Sequence, residues 1–221
     1  MTKRNYNPRT SRLSEMAGGD AAFRLTAADR EFLRDLAKVQ IVSFDQASKT
    51  HYAQLKTKGS RSLPRLIQAG VIKERTVYIS GRRPIKAFEF ASREMASAWG
   101  GRMLKTGSSR SDYHELITSE IYFQLDRPDD FRLPGKFCSN DFSLVGDHVP
   151  DALYTDNATG ELVLLEADAG NYSQQQITNK MASWQARGLR QLWAQPEKAT
   201  VKINNLFNVD SSHSSIDLII V

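Results

Sequence analysis

The sequence predicts a mixed α/β (α+β) protein built from two domains. Three observations carry that prediction. Residues 26–90 read as three short helices followed by two extended runs, whereas residues 112–221 read as helix, strands, helix, strand. Between them, ASREMASAWGGRMLKTGSSR (91–110) starts helical and ends in Gly, Ser and Thr, as a domain boundary does. The charge also divides: residues 1–110 carry 22 Lys and Arg against 9 Asp and Glu, and residues 111–221 carry 8 against 16. The expected domains are 21–105 and 106–221, preceded by a flexible basic arm over 1–20 around Pro8 and Gly18-Gly19.

Composition narrows the function classes. The 221 residues are 40% hydrophobic and 25% charged, ordinary for a soluble globular chain. No apolar run approaches bilayer length and the N-terminus has no apolar signal core, so a cytoplasmic protein without membrane partners is expected. Cys138 is the only cysteine, which excludes an intramolecular disulfide and a cysteine-based zinc site, and the four histidines are scattered. No GxGxxG, P-loop, HExxH or GxSxG pattern is present. The basic first half matches a polyanion, most simply nucleic acid.

In chain order, Thr26 caps a first helix with Asp29 three residues on, and Phe32, Leu33 and Leu36 form its apolar stripe. Ile41-Val42 is an extended link, and Ser43 caps a second short helix. Lys56 to Gly59 is a basic turn. Ser60 to Gly70 reads as a third helix, with Leu63, Leu66 and Ile67 inward, Pro64 in its first turn and Gly70 as its stop. Two extended runs flank Gly81-Arg82-Arg83-Pro84. Three helices and a hairpin with a basic tip is the layout of a winged helix-turn-helix domain, whose third helix enters the major groove of double-stranded DNA. The expected phosphate contacts are Lys56, Lys58, Arg61, Arg65, Arg82, Arg83 and Lys86.

The second half opens with a helix from Asp112 to Leu125, bearing His114 and Glu115 in its first turn. Asp141 to Val145 reads as a short strand. Ala152 to Thr155 and Leu162 to Leu165 then flank the turn-rich stretch Asp156 to Gly160, a β-hairpin signal. With the turn centred between Ala158 and Thr159, Tyr154 faces Val163, Leu153 faces Leu164 and Asp151 faces Glu166. Asp168 follows on the same face. Side chains so opposed have Cβ atoms roughly 4.5–5.5 Å apart. Two carboxylates that close call for a positive charge, and a divalent cation such as Mg2+ or Mn2+ fits. Gln174 to Arg187 is an amphipathic helix with Ile177, Met181 and Trp184 inward and Lys180 on another side. Leu189 to Ala194 and Asp217 to Val221 are further strands of a mixed central sheet.

Three phrases in this order, His114-Glu115-Leu116, Pro150-Asp151-Ala152 and Leu165-Glu166-Ala167-Asp168-Ala169-Gly170 followed by Lys180, resemble the PD-(D/E)xK nuclease superfamily. With the preceding winged helix they resemble the replication-relaxation family and the related MobC-type plasmid mobilisation relaxases. The resemblance implies a restriction-endonuclease-like α/β domain and a protein that recognises an origin and nicks or opens DNA, with relaxosome or coupling proteins as partners. It implies Asp151 and Glu166 as metal ligands with Asp168 beside them. Lys180 or a nearby glutamine would meet the scissile phosphate, with His114 or Glu115 completing the catalytic pocket. The superfamily's lysine two residues after the glutamate is Asp168 here, and Lys180 is the candidate to replace it. The alternative function is a non-catalytic DNA-binding regulator or relaxosome accessory protein. The alternative chemistry is a tyrosine nucleophile, from Tyr113, Tyr154 or Tyr172.

Overall fold

The computed structural model describes residues 24–79, 83–104, 109–170, 172–195 and 216–220. The expected arm over residues 1–20 and Arg82 lie outside them. The protein is mixed α/β with two sheets, one of them mixed. It divides into two compact units, Met1–Thr76 with Ile85–Lys105, and Val77–Pro84 with Thr106–Val221. Among the described residues no helix is long and apolar enough to cross a membrane.

In the first unit α1 (Ala27–Val39) leads through β1 (Val42–Ser43) to α2 (Phe44–Thr50) and α3 (Ser62–Gln68), then β2 (Ile72–Val77), β3 (Ile85–Phe90) and α4 (Arg93–Ala98). Two reciprocal caps start the first two helices. Asp29 N donates to Thr26 Oγ1 at 3.1 Å while Thr26 N donates to Asp29 Oδ2 at 2.7 Å, and Ser43 pairs with Gln46 in the same way at 3.1 and 2.7 Å. Phe32, Leu33 and Leu36 are fully buried, and Leu63 and Leu66 join them from α3. The extended link pairs with β3, Val42 opposite Phe88 and Ser43 opposite Ala87, giving a sheet of order β1-β3-β2. Gly101 is required by close approach: a Cβ there would lie 2.8 Å from Ala37 Cα.

In the second unit α5 (Ser109–Gln124), a 3-10 turn (Pro134–Lys136) and α6 (Ser139–Val145) precede β4 (Ala152–Thr155) and β5 (Leu162–Ala167). Then come α7 (Gln174–Gln185), β6 (Arg190–Gln195) and β7 (Ile216–Ile220). The sheet order is β4-β5-β6-β7, with β4 antiparallel to β5 and the other two pairings parallel. The hairpin register is Leu153 opposite Leu164 and Tyr154 opposite Val163, as the turn chemistry predicts. Leu164 and Trp193 pack with Ile177 and Trp184 of α7. By strand alternation Val163, Leu165 and Ala167 point to the opposite face, where they too are buried, and α5 is the helix that meets β5 there.

The strand expected over Asp141–Val145 is instead helix α6. Asp141 folds back to accept a hydrogen bond from Cys138 N at 2.8 Å, closing a helical first turn. Of the apolar residues there, Val145 is buried while Phe142 and Leu144 are exposed, so the apparent alternation did not mark a sheet face. The helix expected from Asp112 begins three residues earlier, and α7 ends two residues before Arg187.

Candidate functional site

The second unit gathers titratable side chains from four separated places in the sequence. Backbone pairing sets the frame: Asp151 N donates to Leu165 O at 2.9 Å, one residue ahead of β4, which brings Asp151 beside the end of β5. Asp151 Oδ2 then takes two hydrogen bonds, from Ala167 N at 2.8 Å and with His114 Nε2 at 2.8 Å. His114 comes from the first half of α5, with Glu115 next to it. Glu166, near the end of β5, is fully buried and bonded through Oε1 to Lys180 Nζ from the middle of α7. Lys180 Nζ also donates to the Tyr172 hydroxyl at 3.1 Å and lies 4.6 Å from the Tyr172 ring and 5.7 Å from the Trp184 ring.

The local folding of each donor is legible. Ser173 caps α7 through Gln176 N, at 3.3 Å, which sets the helix phase. Ile177 and Trp184 then face the core, and Lys180, one turn from each, reaches the sheet end. Trp184 Nε1 donates to His148 O at 2.8 Å, tying α7 to the chain that leads into β4.

Electrostatics follow from burial and crowding. Burial opposes charge on His114, but the hydrogen bond and charge of Asp151, aided by Glu115 and Glu166, overcome it and raise the imidazole to about 9. At neutral pH Nε2 therefore donates to Asp151. Burial also raises Glu115, with Asp151 and Asp112 adding and His114 opposing. Glu166 is raised by burial first and by Asp151 second, against the pull of Lys180. The Tyr172 hydroxyl is raised by burial, then by Glu166 and Asp151.

The donor set suits a hard cation in part. Glu166 Oε2 is buried with no hydrogen-bond partner among the described residues, and it belongs to one of two neighbouring carboxylates. Magnesium is commonly held by one or two carboxylates, its own waters and a phosphate, so Asp151 and Glu166 fit. The expected third ligand does not: among the described residues no group of three or more His, Cys, Asp or Glu side chains could hold a metal ion. Asp168, 1% exposed, instead accepts through Oδ1 from Gly170 N at 2.8 Å and Tyr172 N at 3.3 Å, holding the loop into α7. A carboxylate so used is a loop anchor, a role that short Asp side chains adopt readily.

The expected DNA contacts are placed unevenly. Lys56, Lys58, Arg61 and Arg83 are exposed. Lys86 is exposed but forms an ion pair with Glu74 at 2.5 Å. Arg65 is already engaged within the protein: its guanidinium binds buried Asp29, and Nη1 donates to Arg24 O at 2.9 Å. Asp29, already used in the cap of α1 and bonded by Tyr52 Oη at 3.1 Å, is satisfied in part by that cation, so Arg65 has a structural role besides any contact with DNA.

Sequence reasoning assigned no structural role to Tyr172, which touches Lys180 by both ring and hydroxyl. The only sequence signal was an aromatic lying between Asp168 and Lys180. Comparison with protein-family models, with curated proteins and with solved structures found no match.

Proposed function

We propose that this is a DNA-binding protein that nicks or locally opens DNA at an origin-like site, by metal-assisted phosphodiester cleavage in the second unit. The observation that carries the reading is the buried Glu166–Lys180 pair beside Asp151, with Glu166 Oε2 lacking a hydrogen-bond partner among the described residues. The superfamily resemblance implies an acid-rich strand end with a lysine on the same strand; here Lys180, delivered from a helix, would take the role of that missing strand lysine.

The first unit supports a winged-helix reading through its order, helix, strand, two helices and hairpin, and its sheet order β1-β3-β2. Lys56, Lys58, Arg61 and Arg83 offer exposed charge to phosphates. This unit would select the site, and relaxosome or coupling proteins are the partners this reading implies.

In the second unit, Asp151 and Glu166 would hold Mg2+ or Mn2+. Such an ion, when bound, polarises a phosphate oxygen and lowers the pKa of its water. Lys180 supplies a fixed positive charge for the developing negative charge on phosphorus oxygens. His114, protonated at neutral pH, holds Asp151 in place and adds a second positive charge at the pocket. Glu115 stands beside it as a carboxyl raised by burial.

A second reading, a DNA-binding regulator or accessory protein without catalysis, is favoured by one observation: Asp168 anchors a loop and leaves the acids without a third member. Relaxation of a supercoiled plasmid carrying the cognate origin, with Mg2+ or Mn2+, separates the two. Nicking by wild type that is lost in Asp151→Ala and Glu166→Ala is expected. No nicking at saturating binding selects the second reading, and equal nicking by the variants removes these residues from the site.

A further inference from the structure

Asp168 and Tyr172 are left over by that mechanism, yet Tyr172 touches Lys180 and Asp168 bonds the backbone of Tyr172. Asp168 Oδ1 accepts from Gly170 N and Tyr172 N, so its carboxylate fixes the backbone of the loop that enters α7. The Tyr172 ring packs against the core that contains Ile177 and Trp184. Its hydroxyl accepts from Lys180 Nζ at 3.1 Å and its ring lies 4.6 Å from the same nitrogen. A lysine carries four rotatable bonds, and pinning its ammonium takes several partners. Here they are a carboxylate oxygen, a phenol oxygen and two aromatic rings.

We propose that Asp168 and Tyr172 are positioning residues for Lys180: Asp168 holds the loop, the loop holds Tyr172, and Tyr172 fixes the ammonium on Glu166. Asp168 thus stands where the superfamily resemblance places a lysine and helps seat the lysine that arrives from the helix. Tyr172 is thereby assigned as a hydrogen-bond acceptor and ring platform, not a nucleophile. The role rests on reading Lys180 as the charge that meets phosphate, whereas the placement itself does not.

The test therefore uses two readouts on the full chain. The first is the rate at which an amine-acylating reagent modifies Lys180, followed by mass spectrometry of the Lys180 peptide. Tyr172→Phe, which keeps the ring, is expected to raise that rate about twofold to fivefold, and Tyr172→Ala or Asp168→Ala about tenfold, for loss of one or more contacts. Asp168→Asn, which keeps an acceptor oxygen, is expected to restore most of the protection lost in Asp168→Ala. Unchanged rates in the Tyr172 variants, or an Asn variant as reactive as the Ala variant, would overturn the proposal. The second readout is plasmid nicking. Tyr172→Phe should lower kcat with KM nearly constant and leave no SDS-stable protein–DNA adduct in any variant. An adduct in wild type that Tyr172→Phe abolishes would make Tyr172 the nucleophile. Wild type that does not nick would sink the enzymatic reading while the modification rates still decide the positioning one.

Discussion

Lys180→Met is the substitution whose consequence the structure defines best. The Glu166 side chain is fully buried and that of Lys180 is 15% exposed, so solvent screens their pairing little. Removing the lysine alone strands a carboxylate beside Asp151, and breaking a buried pair from one side typically costs about 3–5 kcal/mol. Against a usual total of about 5–15 kcal/mol, that is a large part of the stability of the unit. Protonation of Glu166 limits the loss, which fixes its pH dependence. The folded pKa of Glu166 is raised above the unfolded value, about 4.3 for a glutamate, so the folded state binds the proton more tightly. A group of that sign contributes most at low pH and loses its contribution as pH rises through its folded range. Without Lys180 the carboxylate cannot ionise cheaply, so the deficit of the variant grows with pH over that range. Urea denaturation in EDTA, followed by the fluorescence of the buried Trp184 and Trp193, measures it at pH 5.5, 7 and 8.5. Lys180→Met/Glu166→Gln should recover most of the loss, since neither charge then remains buried. A deficit below about 1 kcal/mol at pH 8.5, or one that is constant with pH, would mean that Glu166 and Lys180 do not pair as a buried ion pair.

Other expectations are simpler to state. The folded pKa of His114 is raised to about 9 from 6.5, so its bond to Asp151 contributes fully below pH 6.5 and fades between 6.5 and 9. At 1.36 kcal/mol per unit the contribution is at most about 3 kcal/mol. An NMR titration of the ring in EDTA should show a midpoint near 9, and one at or below 6.5 would contradict the pairing. Arg65→Ala should destabilise the first unit by about 2 kcal/mol, because Asp29 stays buried without its cation. Arg61→Ala should leave stability within about 0.5 kcal/mol and reduce the salt slope of DNA binding by about 1. Equal effects of the two on the salt slope would put Arg65 back among the phosphate contacts. Gly101→Ala should cost about 1–3 kcal/mol by denaturation, since the new Cβ meets the Ala37 backbone.

Local chemistry was the legible part of this fold. Thr26 with Asp29 and Ser43 with Gln46 act over three residues, and those starts are visible in sequence because the cap is local. The β4–β5 register was legible for the same reason, since a short turn fixes every cross-strand pair at once. Less legible were contacts the chain makes over long distances. Arg65 meets Asp29 across 36 residues, and no pattern near Arg65 distinguishes it from the exposed Arg61. The Asp168 carboxylate accepts from Gly170 N and Tyr172 N, two and four residues ahead, yet its role depends on where Tyr172 lies relative to Lys180, which the core around Trp184 determines. Asp141–Val145 looks like a strand in sequence because Phe142 and Leu144 are exposed apolar residues that mimic strand alternation within a helix.

If Asp151 and Glu166 hold a divalent cation, the DNA-free protein must bind Mn2+ through them. Electron paramagnetic resonance of free Mn2+, titrated into the DNA-free protein, counts bound ions without requiring catalysis. One site is expected in wild type, weakened at least tenfold in both Asp151→Asn and Glu166→Gln. Wild type that leaves all Mn2+ free at millimolar concentration, or variants that bind as wild type does, would contradict it.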